Sequence, residues 1–207
     1  MNKFILFLLA FVSGFAARAG EADRVTVAVI SINDFHSCFV RNDFKQMPGA
    51  AALWQTIDSL QSVYPHSIVV SAGDNFGGSY FHQATRGQLI PEFFQNLGIT
   101  LSAVGNHEFD EGQAALADKW RSQPFCPKDW QLEYVCANVR DAAGQLAPFA
   151  APFSVREIPV GGKSVKVAFI GLLTSSTPRQ ASVSKLKGLS FDGRYDLVLD
   201  SLKQTPD

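Results

Sequence analysis

Three short apolar runs, each followed at once by a polar loop, constrain the fold of this 207-residue chain more than any other feature. The runs lie at 25–32, 67–71 and 99–104 and are rich in β-branched residues, as in strands buried on both faces. Helix-like segments separate them, so the pattern predicts an α/β fold with crossover helices. Because ligands bind at the carboxyl ends of strands in open α/β sheets, the three polar loops are expected to converge on one site.

The same patterns predict three further elements. A helix with one apolar face is expected at 50–63, and a single strand at 134–139. A hairpin is expected with strands at 153–159 and 164–171, joined by Gly161 and Gly162.

The first two polar loops supply metal-ligand chemistry. Asp34 and His36 follow the first run two positions apart, so a carboxylate and an imidazole can point at one ion. Asp74 follows the second run inside a glycine-rich turn that lets the backbone approach a ligand closely. Each loop taken alone also fits an ordinary solvated turn, in which Asp is favoured for turn chemistry.

The third loop reads Gly-Asn-His-Glu-Phe-Asp at 105–110 and combines an amide, an imidazole and two carboxylates. Asn106 can offer a neutral amide oxygen to a metal. His107 can protonate a leaving group, and Asp110 can orient its imidazole. The alternative is a capped turn, because Asn before a helix with acidic residues in its first turn is ordinary capping chemistry.

Two further histidines are predicted to lie outside this cluster. His66 precedes the second strand, at the end opposite the polar loops, and is expected to be a solvated turn residue. His82 falls in a helical segment and is expected on a helix surface or in a loop. Neither is predicted to bind metal.

Residues 1–19 are typical of a secretory signal peptide, with Lys3, an apolar run at 4–12 and Ala-Arg-Ala at 17–19. An uncleaved anchor is the alternative, although the run is too short to span a bilayer stably. The formal net charge is -1, and cleavage would remove two basic residues and no acid. A mildly acidic mature chain does not suggest a nucleic-acid polymer as partner. The expected location is the periplasm or the extracellular medium.

The three cysteines, Cys38, Cys126 and Cys136, would enter an oxidising compartment. A bridge between Cys126 and Cys136 would close a short loop and stabilise the fold by roughly 2–3 kcal/mol in the chain-entropy model. Cys38 would then be free or paired outside this chain. Three buried thiols are the alternative.

Five motifs in this order resemble the calcineurin-like metallophosphoesterases, specifically the secreted 5'-nucleotidase and UDP-sugar hydrolase family. They are INDFH at 32–36, GDNFGGS at 73–79, GNHEFD at 105–110, CANV at 136–139 and GLLTSSTP at 171–178. The resemblance implies a four-layer α-β-β-α sandwich with mixed sheets. Residues 20–207 would then be the N-terminal part of the catalytic domain.

The resemblance also implies the metal site. Asp34 and His36 would bind a first ion, Asp74 would bridge two ions, and Asn106 would bind the second. Two divalent ions such as Zn or Mn suit this donor set. Together they would clamp a phosphoryl group and lower the pKa of bound water to about 7.

His107 would be the catalytic histidine and Asp110 its orienting partner, in an enzyme that hydrolyses nucleotides or other phosphate esters. Phosphomonoester, phosphodiester or sulfur-ester hydrolysis on this scaffold are all compatible with the motifs. The family's later metal-binding histidines and its C-terminal substrate-binding domain have no counterpart in the 207 residues. We therefore expect an incomplete site and an inactive isolated chain. The alternative is a truncated, non-catalytic remnant or pseudoenzyme that binds at most one metal or a partner.

Overall fold

A computed structural model of the chain describes residues 25–44, 46–118 and 128–203. The predicted signal peptide at 1–19 and Cys126 lie outside the described residues. The elements form a mixed α/β fold, as the three-strand pattern predicted. None of the helices in these ranges is both long enough and apolar enough to cross a bilayer.

The central sheet has four parallel strands in the order β1-β2-β3-β4. The strands are β1 (Ala28–Ile32), β2 (Ser67–Ser71), β3 (Leu101–Ala103) and β4 (Glu133–Val135). The first three fall within the three predicted runs. Because all of them run in the same direction, the loops that follow β1, β2 and β3 leave the same edge of the sheet.

Helices connect and flank these strands. They are α1 (Ala50–Val63), α2 (Tyr80–Thr85), α3 (Ile90–Asn96), α4 (Gln113–Asp118) and α5 (Tyr195–Lys203). The predicted helix at 50–63 is confirmed and buries Ile57 on its apolar face. The crossover between β2 and β3 contains two short helices, and Gly98, in the left-handed conformation with φ 71°, follows the second of them.

The single strand predicted at 134–139 is wrong, because the backbone leaves the central sheet after β4. The amide of Cys136 donates to the carbonyl of Ala151, and the amide of Ala137 donates to the carbonyl of Gly171. The next residues form a separate strand, β5 (Val139–Arg140), which pairs antiparallel with Ser190–Phe191. The apolar run continues through this bend, so periodicity alone does not reveal the change of partner.

The predicted hairpin is confirmed. Strands β6 (Phe153–Val160) and β7 (Lys163–Ile170) pair antiparallel along their full length. The strand β8 (Ser190–Phe191) belongs to a separate two-stranded sheet with β5. Gly161 and Gly162 form the hairpin turn with φ of 50° and 80°. Two successive positive φ angles match the two-residue turns that suit the twist of a hairpin.

The main core lies between the central sheet and the helices. It is rich in phenylalanine, including Phe35, Phe76, Phe93, Phe94 and Phe109. A smaller cluster on the opposite sheet face contains Val70, Leu101 and Val135.

Cys136 is a free, buried thiol in this structure, and burial raises its pKa to about 11. Cys136 therefore does not form the bridge to Cys126 in this structure, and Cys126 itself lies outside the described residues.

Candidate metal centre

The loops after β1 and β2 remain hydrogen-bonded to each other beyond the end of the sheet. The amide of Asp34 donates to the carbonyl of Gly73 over 3.2 Å, and the amide of His36 donates to the carbonyl of Asp74 over 3.0 Å. The parallel pairing therefore continues into the loops in irregular form. These bonds place the candidate ligands of two loops side by side.

Asp34, His36 and Asp74 form one group of candidate ligands. Each offers a ligand atom, and these atoms all lie within 4.8 Å of one another. His36 Nε2 is 3.4 Å from Asp34 Oδ1. His36 Nδ1 lies 3.3 Å from the carbonyl oxygen of Phe76, so a proton on Nδ1 can be donated there. That tautomer leaves Nε2 with a lone pair facing the carboxylates, which is the usual arrangement of a metal-binding histidine.

The same three residues have left-handed backbone conformations. The φ angles are 51° for Asp34, 48° for His36 and 52° for Asp74. For residues other than glycine this conformation costs about 1–3 kcal/mol each and persists only where the surroundings hold it. Two carboxylates and one imidazole brought together at this cost, with no basic partner among them, fit a divalent cation such as Zn or Mn.

His107 lies directly against this group. Its amide donates to Asp74 Oδ1 over 2.8 Å, and its ring meets the ring of His36 edge-on with centroids 4.7 Å apart. The preceding residue, Asn106, is half-buried at the start of the same turn. Its role as a ligand of a second ion stays a prediction.

His107 and Asp110 form the predicted pair. His107 Nδ1 lies 2.9 Å from Asp110 Oδ2. This hydrogen bond is the main cause of a raised pKa at His107, opposed by partial burial and assisted by the charges of Asp110, Asp74 and Glu108. A β-carbon at Gly77 would collide with both side chains of the pair, so only glycine allows the turn after β2 to approach them. The arrangement keeps Nδ1–H on the carboxylate and leaves Nε2 for proton exchange.

Glu108 is a functional candidate to which the sequence assigned no role. Its side chain is fully buried and accepts three backbone N–H groups, from Gly105 at 2.6 Å, Asn75 at 2.9 Å and Asp74 at 3.0 Å. Burial raises its pKa to about 7, against the lowering effect of these hydrogen bonds. The carboxylate thus joins the loop after β2 to the loop after β3. Its place between Asn106 and Asp110 was the only sequence signal, and burial cannot be read from that.

Asn138 joins two of the motifs. Its side-chain amide donates to the carbonyls of Leu173 at 2.7 Å and Asp192 at 2.9 Å, and its oxygen accepts the amide of Leu173 at 2.8 Å. All of its polar atoms are used in this buried network. Asn138 therefore supports the loop at 171–178 and is not placed to bind a ligand.

The two histidines that the sequence predicts not to bind metal, His66 and His82, lie in different surroundings. His66 is half-buried at the opposite end of the sheet, where its carbonyl accepts the amide of Ala28, as expected for the turn before β2. His82 was expected on a surface, and this is wrong. It is only 6% exposed, because α2 packs its ring against Phe76. It is not a member of the ligand group found among the described residues.

Comparison with known proteins identifies the family model and the proteins that this chain resembles. The family model described as calcineurin-like phosphoesterase matches residues 27–196. An apyrase of Aedes albopictus is 31% identical over 210 residues, covering 90% of this chain and 35% of the relative. A snake venom 5'-nucleotidase of Gloydius brevicauda is 31% identical over 133 residues, covering 63% of this chain and 21% of the relative.

Among solved structures, the 5'-nucleotidase precursor from Thermus thermophilus superposes with a TM-score of 0.62 at 26% identity, over 86% of this chain and 34% of that one. This likeness confirms the predicted fold class. The chain spans between about a fifth and a third of the length of these relatives, from 21% to 35%.

Proposed function

Because this chain belongs to the calcineurin-like phosphoesterase family, we propose that it forms part of a secreted, metal-dependent phosphoesterase that hydrolyses nucleotides. The observation that carries the proposal is the contact between the ligand group of Asp34, His36 and Asp74 and the His107–Asp110 pair. The names of the venom 5'-nucleotidase and the apyrase support a nucleotide as substrate.

We propose that the complete site holds two divalent ions. Asp34 and His36 would hold the first ion, Asp74 would be shared, and Asn106 would hold the second, with further ligands supplied elsewhere in the parent protein. Ions of this kind polarise a phosphoryl group, neutralise its charge and acidify a bound water. Asp74 is central to this assignment, since its Oδ1 also accepts the amide of His107.

His107 would act as the general acid. With Nδ1–H held by Asp110, the protonated imidazole can donate from Nε2 to the ester oxygen as the phosphorus–oxygen bond breaks. A water molecule supplies the entering oxygen, so the products are an alcohol and a phosphate. The raised pKa of His107 keeps the acid form populated closer to neutral pH.

A second candidate is a non-catalytic protein that binds one ion. It is favoured by the number of ligands, because within the described ranges Asp34, His36 and Asp74 are the only group of three or more His, Cys, Asp or Glu side chains placed for metal. Activity of the parent protein distinguishes the two.

The test is hydrolysis of AMP and of a chromogenic phosphodiester by the parent protein, after chelation and after return of Mn²⁺ or Zn²⁺. We expect activity that depends on the added ion and is lost in Asp74→Ala. Asp58→Ala is the matched control, since Asp58 is an exposed carboxylate on α1. Metal-independent activity, or full activity in Asp74→Ala, would contradict the proposal. No hydrolysis in the presence of a tightly bound ion would favour the non-catalytic candidate.

A further inference from the structure

His82, on α2, contacts residues next in sequence to the candidate centre. Its side chain is buried, and its two ring nitrogens point at two different loops. Nδ1 lies 3.3 Å from the hydroxyl oxygen of Ser37, which is fully buried. Nε2 is buried without a hydrogen bond among the described residues, and Glu111 Oε1 lies 3.8 Å from it.

Ser37 follows the metal ligand His36 in sequence, and Glu111 follows Asp110 of the catalytic pair. Ser37 lies in the loop after β1, and its amide donates to the carbonyl of Asn75. Glu111 lies at the end of the turn that carries His107. His82 therefore stands between the loop that bears the ligands and the turn that bears the catalytic pair.

A second residue of the same helix strengthens the link to Ser37. Ser79 caps α2 by accepting the amide of His82 over 3.0 Å, and its hydroxyl donates to the carbonyl of Ser37 over 3.4 Å. Ser37 is thus held by α2 through its hydroxyl and through its carbonyl. Its left-handed φ of 52° is one of the strained angles of this loop.

We propose that His82 is a positioning residue for the phosphoesterase reaction, which holds the His36 loop and the His107–Asp110 turn in register through Ser37 and Glu111. The inference rests on the proposed function. His82 is not one of the ligands in the group found among the described residues. Its effect is transmitted by its two neighbours, in the way that outer-shell partners orient metal ligands.

The surroundings also fix which form of the imidazole performs this role. Burial lowers the pKa of His82, and the charge of His107 acts in the same direction, while Asp110 and Glu111 oppose it. In the neutral ring, a proton on Nε2 faces the Glu111 carboxylate, and the bare Nδ1 accepts the Ser37 hydroxyl proton. The other tautomer would turn a lone pair towards the carboxylate, which is unfavourable.

Nitrogen-detected NMR of the four imidazoles in the full chain tests the arrangement. We expect His82 near neutral pH to be a single neutral tautomer with the proton on Nε2. Glu111→Gln should change its tautomer ratio, and His82→Phe should shift the ring signals of His107 while those of His66 stay unchanged. Averaged tautomers at His82, or an unmoved His107, would overturn the proposal.

Zinc affinity tests the contact of His82 with Ser37 separately from its contact with Glu111. His82→Phe, which removes both nitrogens, should weaken Zn²⁺ binding to the chain about ten-fold, as for other outer-shell partners. His82→Asn keeps an atom near the position of Nδ1 and should retain more affinity than His82→Gln, which mimics Nε2. His66→Phe is the control and should bind as the wild type. Equal affinity in all variants would overturn the proposal.

The two proposals fail in different ways. If the wild-type chain binds no Zn²⁺, or Asp74→Ala binds it unchanged, the metal centre itself is wrong. If Asp74→Ala loses the ion but His82→Phe binds it normally and leaves the His107 signals in place, only the role of His82 is wrong.

Discussion

At the scale of single residues, the hydrogen bond between His107 and Asp110 carries the acid–base chemistry that we propose. His107→Asn in the parent enzyme should lower turnover by a factor of about 10²–10⁴, the range of general acid–base contributions. Metal content should stay near that of the wild type, because His107 is not assigned as a ligand. Steady-state kinetics with metal analysis checks both. If His107→Asn lost metal as completely as Asp74→Ala, the role of His107 as general acid would be wrong.

The pH profile tests the other member of the pair. The hydrogen bond to Asp110 raises the pKa of His107, so the acid form persists to higher pH than in an isolated imidazole. Asp110→Asn removes the negative charge and should lower that pKa towards its ordinary value. The alkaline limb of kcat/KM should therefore move to lower pH. An alkaline limb at the wild-type position would mean that another group sets it.

The site residues that could be predicted from the sequence are those that come soon after a recognisable apolar run. Asp34, His36 and Asp74 each follow an apolar run, and the structure brings them together as expected. Glu108 and His82 were missed because their importance comes from burial. A carboxylate that accepts three backbone amides, and an imidazole packed between two loops, look in the sequence like ordinary surface residues.

At the scale of elements, local patterns predicted the strands β1, β2, β3, β6 and β7, but not the two-residue strand β8. The hairpin turn gives a direct test, because a β-carbon at Gly161 meets nothing within 4 Å and only the φ of 50° matters. Gly161→Asn should keep stability or raise it by up to about 1 kcal/mol, since Asn tolerates this conformation. Gly161→Val should lower stability by about 1–2 kcal/mol.

Thermal unfolding of the two variants measures the difference. Equal melting temperatures for Gly161→Asn and Gly161→Val would show that the turn does not require a positive φ. The boundary between β4 and β5 could not be predicted in the same way. It depends on carbonyls of Ala151 and Gly171, which come from later in the chain.

At the scale of the whole molecule, the family and the fold agree with the motifs, while export remains open to experiment. Residues 1–19 combine a basic start, an apolar run and a small-residue cleavage pattern. We expect the mature protein to begin near Gly20 and to lie outside the cytoplasm. Amino-terminal sequencing of the native protein checks this, and a retained Met1 in the exported or cell-associated form would contradict it.

The central claim is that Asp34, His36 and Asp74 form a metal centre. Anomalous X-ray scattering from crystals of the chain grown with Zn²⁺ tests it most directly. The account predicts a zinc peak about 2.0–2.2 Å from the carboxylate oxygens of Asp34 and Asp74 and from His36 Nε2. The same peak should be absent from crystals of Asp74→Ala. Zinc bound elsewhere with no peak between these three side chains would contradict the account.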